Sequence, residues 1–327
     1  MAKQEFSIPS LANRIVTEAD AYVLLERLRW NGHPDCPHCG VIDGHYFLAP
    51  RNGTSRATRT GAASQRRVWK CRSCRKQFSV LTGTIFHGSK IALRTWLFVI
   101  FEMCSCKNGV SAREIERKYN LTAKSAWFML HRIREAMKRD PLAGLLRGAV
   151  QADETFIGGN PKNRHAKDAR VRQGAGYTDK TAVLSLVHYE SREVRSQVVP
   201  NVTGQTLIPA MQSQADLKNV WLQSDGAASY RTVAAHTADH QSVNHDAGQY
   251  VGPGGVGTNL AEGFFSQLKR SLDGTHHHVS TVHLHRYLAN FDFLYSNCRA
   301  SDTVRMERLL GQTAGRRLTY KPLTARL

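Results

Sequence analysis

Gln151-Ala-Asp153-Glu-Thr-Phe-Ile-Gly-Gly159 is the stretch that decides how this chain folds, because it places an acidic residue inside a short run of β-forming residues. Two later stretches carry acidic residues in related positions. Asp225 comes directly after another β-forming run, and Glu262 lies in the first turn of a predicted helix. Seventy-one residues separate the first two acidic residues, and 36 separate the last two. Whether the three carboxylates meet depends on the elements around them.

Five β-forming runs and several helical patterns surround these carboxylates. The runs are Val150–Phe156, Ala182–His188, Glu193–Val199, Asn219–Gln223 and a weaker one at Gln241–Asn244. Helical patterns begin at Thr203, after Asp225, at Asn259–Leu272 and at Thr281–Tyr295. The order β, β, β, α, β, α, β, α is that of a ribonuclease-H-like α/β fold. We therefore expect a mixed five-stranded sheet with flanking helices, in which the first and fourth strands are neighbours.

That strand order predicts a site of three carboxylates. Asp153 on the first strand and Asp225 at the end of the fourth would meet, and the late helix would bring in Glu262. Hard oxygen donors of this kind suit two Mg²⁺ (or Mn²⁺) ions, which stabilise the attacking and leaving oxygens in phosphoryl transfer. Glu154 points to the opposite face if the strand alternates regularly. The alternative is that each acid is a solvated or capping residue, as Glu262 could be at a helix N-terminus.

Cysteine spacing predicts a structural zinc site. Cys36/Cys39 and Cys71/Cys74 form two Cys-x-x-Cys pairs with 31 residues between them, and four thiolates suit tetrahedral Zn²⁺. The long separation is explained by the stretch 51–67, which has the composition of a loop. Phe78 is expected to cover the metal. The remaining cysteines, Cys104, Cys106 and Cys298, have no ligand spacing and are interpreted as core or incidental residues.

The segment 109–134 has the layout of a helix-turn-helix. Ser111, with Glu114 as a capping box, begins the first helix, and Thr122 begins the second. The second helix has an apolar inner face and three cationic residues, which we assign to an outer face that contacts DNA. These are Lys124, Arg132 and Arg134. An ordinary helical hairpin in a basic protein is the alternative.

Composition favours a nucleic-acid partner. The 327 residues include 45 Lys+Arg against 26 Asp+Glu, a formal net charge of +19. The first 16 residues lack the apolar run of a signal peptide, and no stretch is long and apolar enough to span a bilayer. We therefore expect a cytoplasmic protein without a membrane partner, associated with the nucleoid when bound to DNA.

These phrases together resemble the zinc-ribbon DDE-type transposases of bacterial insertion sequences. The similarity runs from about residue 30 to 299 and rests on specific phrases: Cys36-Pro-His-Cys39, Cys71-Arg-Ser-Cys74-Arg-Lys-Gln-Phe78, Leu81-Thr-Gly-Thr-Ile-Phe86, Asp153-Glu-Thr-Phe-Ile-Gly-Gly159, Ser224-Asp225-Gly with Tyr230, Asn259-Leu-Ala-Glu262 and Gly274-Thr-His-His-His-Val-Ser280. Gly-Phe-Phe after Glu262 departs from the family, where a Trp is common.

The resemblance implies Asp153, Asp225 and Glu262 as the catalytic, metal-binding triad. Asn takes the third position in some relatives, so Asn259 is a rival or helper. His245 matches a family histidine before the Gly-rich loop, and a structural role is its alternative.

Further basic groups are candidates for DNA contact. Lys269 and Arg270 follow Glu262 on one helix and suit phosphate. His276–His278 are better suited to a phosphate or structural role than to Mg²⁺, which prefers oxygen. The cationic segment Arg164–Arg172 is either a DNA-contacting loop or a solvated run of charge.

The expected protein is an insertion-sequence transposase that binds terminal inverted repeats and catalyses metal-dependent cleavage and strand transfer on double-stranded DNA. Acting on two element ends implies a homo-oligomer, at least a dimer. The expected divisions are a helical segment (1–30), a zinc ribbon (31–80), a helix-turn-helix region (90–140), a ribonuclease-H-like domain (148–299) and a basic tail (300–327). Two alternatives remain: a domesticated, non-catalytic DNA-binding regulator, and a metal-dependent nuclease without strand transfer.

Overall fold

The computed structural model describes residues 6–49, 64–140, 142–158, 180–243, 252 and 256–324. The chain divides into two compact units. The first comprises residues 1–106, 110–137 and 300–327, and the second comprises 107–109 and 138–299. Within the described residues, no helix is both long and apolar enough to cross a membrane.

The first unit begins with two helices, α1 (Ile8–Arg14) and α2 (Glu18–Trp30). Thr17 caps α2: its side chain accepts from the backbone N–H of Asp20, whose carboxylate in turn accepts from the Thr17 N–H at 2.7 Å.

A small antiparallel sheet follows α2 in the sequence. Its strands are β1 (His45–Phe47), β2 (Trp69–Cys71) and β3 (Gln77–Phe78), in the order β1-β2-β3. β2 ends at a cysteine, so the sheet helps to place one of the two cysteine pairs.

Three helices form the middle of the first unit: α3 (Leu93–Ser105), α4 (Ala112–Tyr119) and α5 (Ala123–Met137). Ser111 caps α4, but the Glu114 carboxylate pairs with Lys118 at 2.7 Å instead of completing a capping box. Asn120 ends α4 in the left-handed conformation (φ 49°), which asparagine tolerates better than most residues. The two helices of the predicted helix-turn-helix are therefore present.

The segment after residue 300 is helical, although its sequence shows little periodicity. It forms α10 (Asp302–Gly311) and the short α11 (Tyr320–Thr324), numbered after the helices of the second unit. Met306, Leu309 and Leu310 are fully buried, with the three- and four-residue spacing of one helix face. One such turn is too short to stand out in a basic sequence, so the periodicity of the predicted basic tail did not indicate these helices.

The second unit is built on a five-stranded sheet of order β6-β5-β4-β7-β8. The strands are β4 (Leu146–Ile157), β5 (Thr181–His188), β6 (Val194–Val199), β7 (Ala215–Asp225) and β8 (Asp239–Val243). β4, β5 and β6 form an antiparallel meander, whereas β7 runs parallel to both β4 and β8. The predicted mixed sheet, with its first and fourth strands adjacent, is confirmed.

Helices cover both faces of this sheet. On one face, α6 (Gly204–Gln212) and α7 (Ala228–Ala234) pack on a core that includes Val150, Ala152 and Leu222. On the other, α8 (Asn259–Ser271) and α9 (Thr281–Ser296) pack on Val183 and Val187. A π-helical turn, Leu272–His276, extends α8. The expected ribonuclease-H-like α/β fold is confirmed.

Candidate active site and zinc ribbon

The register of β4 and β7 brings the first two candidate carboxylates to one place. The two strands are paired in parallel up to Gln151 opposite Gln223, and the side-chain amides of these residues are joined at 3.1 Å (Nε2 to Oε1). Asp153 and Asp225 each lie two residues further along. Because side chains two residues apart share a face of a strand, both carboxylates lie on the face covered by α8 and α9.

The third carboxylate lies on the first turn of α8, over the same face. The backbone N–H of Leu260 donates to Oε1 of Gln151 at 2.9 Å, which fixes the start of the helix to β4. Tyr295 of α9 donates its hydroxyl to the Leu260 carbonyl at 3.1 Å. Glu262 is exposed, and its Oε1 accepts from the Thr258 hydroxyl at 2.8 Å.

The two aspartates and Glu262 do not form a tight cluster. Among the described residues, the only group of three or more His, Cys, Asp or Glu donors within 4.8 Å of one another is the set of four cysteines. Asp153, Asp225 and Glu262 are thus more widely spaced. A pair of ions about 3.5–4 Å apart would be held by donors spread more widely than those of a single ion.

Glu154 lies on the opposite face of β4, as strand alternation predicts, with Tyr230 of α7 in the same core. Burial raises the pKa of Glu154 to about 7; the Tyr230 hydroxyl opposes this, and the negative charges of Asp153 and Asp225 add to it. Burial, then the Glu154 carboxylate and to a smaller extent Asp153 and Asp225, hold the pKa of Tyr230 well above its usual value.

Asn259, Lys269 and Arg270 are exposed on α8. His245 lies outside the described residues, and so do Arg164, Lys167, Arg170 and Arg172. The structure therefore places the three carboxylates and the two basic residues of α8 in one unit.

The histidine run has internal contacts. The His276 ring packs edge-on against Tyr287 at 4.9 Å and near Phe291 at 6.4 Å. His277, with a φ of 56°, makes a hydrogen bond through Nδ1 with the Asp273 carbonyl at 2.9 Å. These contacts favour the structural interpretation of His276 and His277.

The four predicted zinc ligands lie together in the first unit. The sulfurs of Cys36 and Cys74 are 3.7 Å apart, as are those of Cys39 and Cys71. A tetrahedral zinc with Zn–S bonds of about 2.3 Å implies sulfurs about 3.8 Å apart, so the donors fit the ion. The backbone N–H of Cys74 lowers the pKa of Cys71, which favours the thiolate that zinc binds.

The other cysteines and Phe78 have different surroundings. Cys104 is buried in the core and Cys298 is exposed, as expected of residues without a metal role. Phe78 is buried, with its ring edge-on to Trp30 at 5.9 Å and to His45 at 5.1 Å. It therefore belongs to an aromatic cluster that supports the ribbon.

Two of the three residues assigned to the DNA-contacting face of α5 are misassigned. Arg132 and Arg134 are only 4% and 1% exposed. Arg132 donates to the His87 carbonyl at 2.6 Å, and its guanidinium lies 5.3 Å from the ring centres of both Trp96 and Phe128. The charge of an arginine on a helix predicts an exposed side chain, but aromatic residues that are distant in the sequence can pack around it and bury it. Lys124 is exposed, with its amine 4.4 Å from the Tyr320 ring.

Sequence reasoning also missed Gln151, because a glutamine in a strand has no motif of its own. The available signal was positional: Gln151 and Gln223 precede Asp153 and Asp225 by the same two residues.

Comparison with known proteins defines the class to which these features correspond. A transposase zinc-ribbon domain matches residues 16–77, which include all four clustered cysteines. An ISXO2-like transposase domain matches residues 145–296, which contain the five strands β4–β8 and the helices α6–α9. In both matched domains the chain resembles the zinc-ribbon DDE-type transposases of insertion sequences, and the predicted resemblance is confirmed. Within that class it is similar to the IS1595 group.

Individual relatives are distant. An uncharacterized protein in the transposable element ISH50 of Halobacterium salinarum is 25% identical over 284 residues, covering 84% of this chain and 90% of that protein. A cryo-EM structure of the simian T-cell lymphotropic virus intasome in complex with PP2A regulatory subunit B56 gamma covers 58% of this chain and 66% of that chain, with 14% identity and a TM-score of 0.27. A TM-score this low carries no argument about fold or function.

Proposed function

We propose that this protein is an insertion-sequence transposase that cuts DNA at the ends of its element and joins the freed ends to target DNA. The observation that carries the proposal is that Asp153 and Asp225 lie on one face of the sheet, and that α8, which carries Glu262 in its first turn, covers this face and is bonded to β4. The matched transposase domain spans all three positions.

Asp153, Asp225 and Glu262 would hold two Mg²⁺ or Mn²⁺ ions, because carboxylate oxygens are the donors these ions prefer. When bound, such ions stabilise charge on the attacking and leaving oxygens of a phosphodiester. The Thr258 hydroxyl holds one oxygen of Glu262, which limits the directions the carboxylate can take.

The proposed reaction has two displacements at phosphorus. Water attacks the phosphodiester at the element end, and the bond from phosphorus to the 3′-oxygen breaks, leaving a free 3′-hydroxyl. That hydroxyl then attacks a phosphodiester of the target, forming a new P–O bond as the target's own 3′-oxygen leaves. The exposed side chains of Lys269 and Arg270 on α8 are suited to hold the DNA backbone during these steps.

Recognition of the terminal repeats is assigned to the first unit, with a revised set of contacts. Lys124 keeps its assignment, whereas Arg132 and Arg134 are replaced by exposed cations of the second cysteine pair, Cys71-Arg-Ser-Cys74-Arg-Lys. These are Arg72, Arg75 and Lys76. Cations of this kind contact phosphate and fix the register of a protein on the duplex. One Zn²⁺ held by the four cysteines would keep this segment folded.

The partners follow from the reaction. Terminal repeats and target are both double-stranded DNA, and two ends must be held at once, so at least a dimer is proposed on DNA. A bacterial transposase of this kind would work in the cytoplasm, associated with the nucleoid.

The test is a strand-transfer assay with a labelled duplex ending in the element's terminal repeat, a target plasmid and Mg²⁺. Wild type is compared with Asp153→Asn, Asp225→Asn and Glu262→Gln. Glu190→Gln, in an exposed turn, is the matched control. The proposal predicts joined product with wild type and the control, and a loss of at least 100-fold in each triad variant while repeat binding persists.

Other outcomes would identify another function. Cleavage without joining would favour a nuclease. Repeat binding with no metal-dependent chemistry, unaffected by all three substitutions, would leave a DNA-binding regulator and refute the catalytic proposal.

A further inference from the structure

A single buried side chain links all three elements that carry the candidate carboxylates. Gln151 of β4 is 2% exposed, its Nε2 donates to Gln223 Oε1 of β7 at 3.1 Å, and its Oε1 accepts from the Leu260 N–H of α8 at 2.9 Å. Each of these residues lies two positions before one carboxylate of the triad: Asp153, Asp225 and Glu262 respectively. We propose that Gln151 is a positioning residue that sets the spacing of the three carboxylates, an inference that rests on the function proposed above.

The link to α8 acts at the end of the helix, where the backbone needs an external partner. Leu260 is the second residue of α8, so its N–H has no acceptor within the helix. The Gln151 carboxamide oxygen supplies that acceptor from the sheet. Because Glu262 lies in the same helical turn, the bond fixes the height and rotation of the Glu262 backbone over β4.

The link to β7 acts where the two strands stop pairing. The paired positions of β4 and β7 end at Gln151 and Gln223, just before the two aspartates. At this last paired position the side-chain amide bond adds a second connection between the strands, two residues before the aspartates. It therefore controls how far apart Asp153 and Asp225 lie.

A glutamine suits this position because one amide group offers a donor and an acceptor in opposite directions. Leucine has similar bulk and keeps the site apolar, but it can make neither bond. Groups that orient metal ligands without touching the metal typically change metal affinity or activity about 10–100-fold when they are removed. A glutamine that merely stabilised the sheet would instead lower the folded fraction and leave the metal requirement of the remaining enzyme unchanged.

The experiment compares wild-type full-length protein with Gln151→Leu and Gln223→Leu. Gln197→Leu on β6, two strands away from β4, is the matched control. The first measurement is the Mn²⁺ concentration that gives half-maximal cleavage of a terminal-repeat duplex, normalised to folded protein by circular dichroism. The second is amide hydrogen exchange of the segment containing Leu260, without DNA or metal.

In Gln151→Leu we expect the Mn²⁺ midpoint to rise at least 10-fold and Leu260 to lose protection from exchange. Gln223→Leu is expected to raise the midpoint while Leu260 stays protected, because only the link to β7 is lost. Gln197→Leu should match wild type in both measurements. If Gln151→Leu does not fold, the midpoint of Gln223→Leu decides the question.

If the wild type is active and the folded Gln151→Leu and Gln223→Leu variants have the wild-type Mn²⁺ midpoint, the inference is overturned and the proposed function still stands. A wild-type protein that shows no metal-dependent cleavage would refute the proposed function, and the inference would fall with it.

Discussion

Asp292 of α9 gives a quantitative test of how the second unit is held together. Asp292 is half-buried against β6, where its Oδ2 accepts from the Ser196 N–H at 2.8 Å and its Oδ1 from the Ser196 hydroxyl at 2.6 Å. Burial raises its pKa from an ordinary 3.8 to about 7, although both hydrogen bonds oppose the rise. The folded protein therefore holds this proton more tightly than the unfolded chain does.

A raised pKa makes the protonated form the stabilising one. The stabilisation of the folded state by protonated Asp292 is fully present below about pH 4 and is lost as pH rises towards 7. The loss is about 1.4 kcal/mol for each pH unit between the two pKa values, or about 4 kcal/mol in total. Asp292→Asn removes the charge but gives up one hydrogen bond, worth about 1 kcal/mol, because an amide nitrogen cannot accept.

The predicted outcome is a change of sign. Below about pH 3.5 the wild type should be the more stable protein, near pH 4.5 the two should be about equal, and near pH 8 Asp292→Asn should be the more stable by about 3 kcal/mol. Because the chain has two compact units, stability is best measured by hydrogen exchange of peptides from β5 and β6 as a function of urea concentration. Asp273→Asn, an exposed aspartate in the same unit, is the control. A difference between wild type and Asp292→Asn that stays constant from pH 4.5 to 8 would refute the reasoning.

Two further predictions concern the first unit. Cys71→Ser should abolish stoichiometric zinc binding, measured by metal analysis, and weaken binding to the terminal repeat. Cys298→Ser, the control, should retain both zinc and repeat binding. A full complement of zinc in Cys71→Ser would contradict the assigned ligand set. Arg132→Ala should lower the free energy of unfolding by about 2–4 kcal/mol, because a hydrogen bond and aromatic contacts are lost. Lys124→Ala should instead weaken DNA binding and change the free energy of unfolding little. Stability is measured by urea unfolding and DNA binding by gel shift. If Arg132→Ala weakened DNA binding without lowering stability, Arg132 would belong to the DNA-contacting face after all.

Much of this fold is predictable because its determinants are local. The runs Ala182–His188 and Glu193–Val199 differ from the observed β5 and β6 by one residue at their N-terminal ends. Thr17 indicates the start of α2 in the sequence, because a capping side chain acts within one helical turn. Local signals of this kind survive in a single sequence.

The features that sequence did not reveal depend on distant contacts. Arg132 is buried by Trp96 and the His87 carbonyl, residues 36 and 45 positions away, which no local pattern encodes. The carboxylates are predictable because each lies within or at the end of an element with a local signal: Asp153 inside β4, Asp225 at the end of β7 and Glu262 in the first turn of α8. Gln151 was not found, because its importance comes from partners in β7 and α8.

The central claim is that Asp153, Asp225 and Glu262 hold the divalent ions for DNA cleavage, and a metal-specificity exchange tests it most directly. A thiolate binds Mn²⁺ far better than Mg²⁺, because Mg²⁺ demands hard oxygen donors. Terminal-repeat cleavage by Asp225→Cys is therefore measured in each metal, with Asp225→Ala as the matched control. The account predicts that Asp225→Cys is inactive in Mg²⁺ and recovers at least 10-fold in Mn²⁺, while Asp225→Ala stays inactive in both. Full Mg²⁺-dependent cleavage by both variants would contradict a metal-binding role for Asp225.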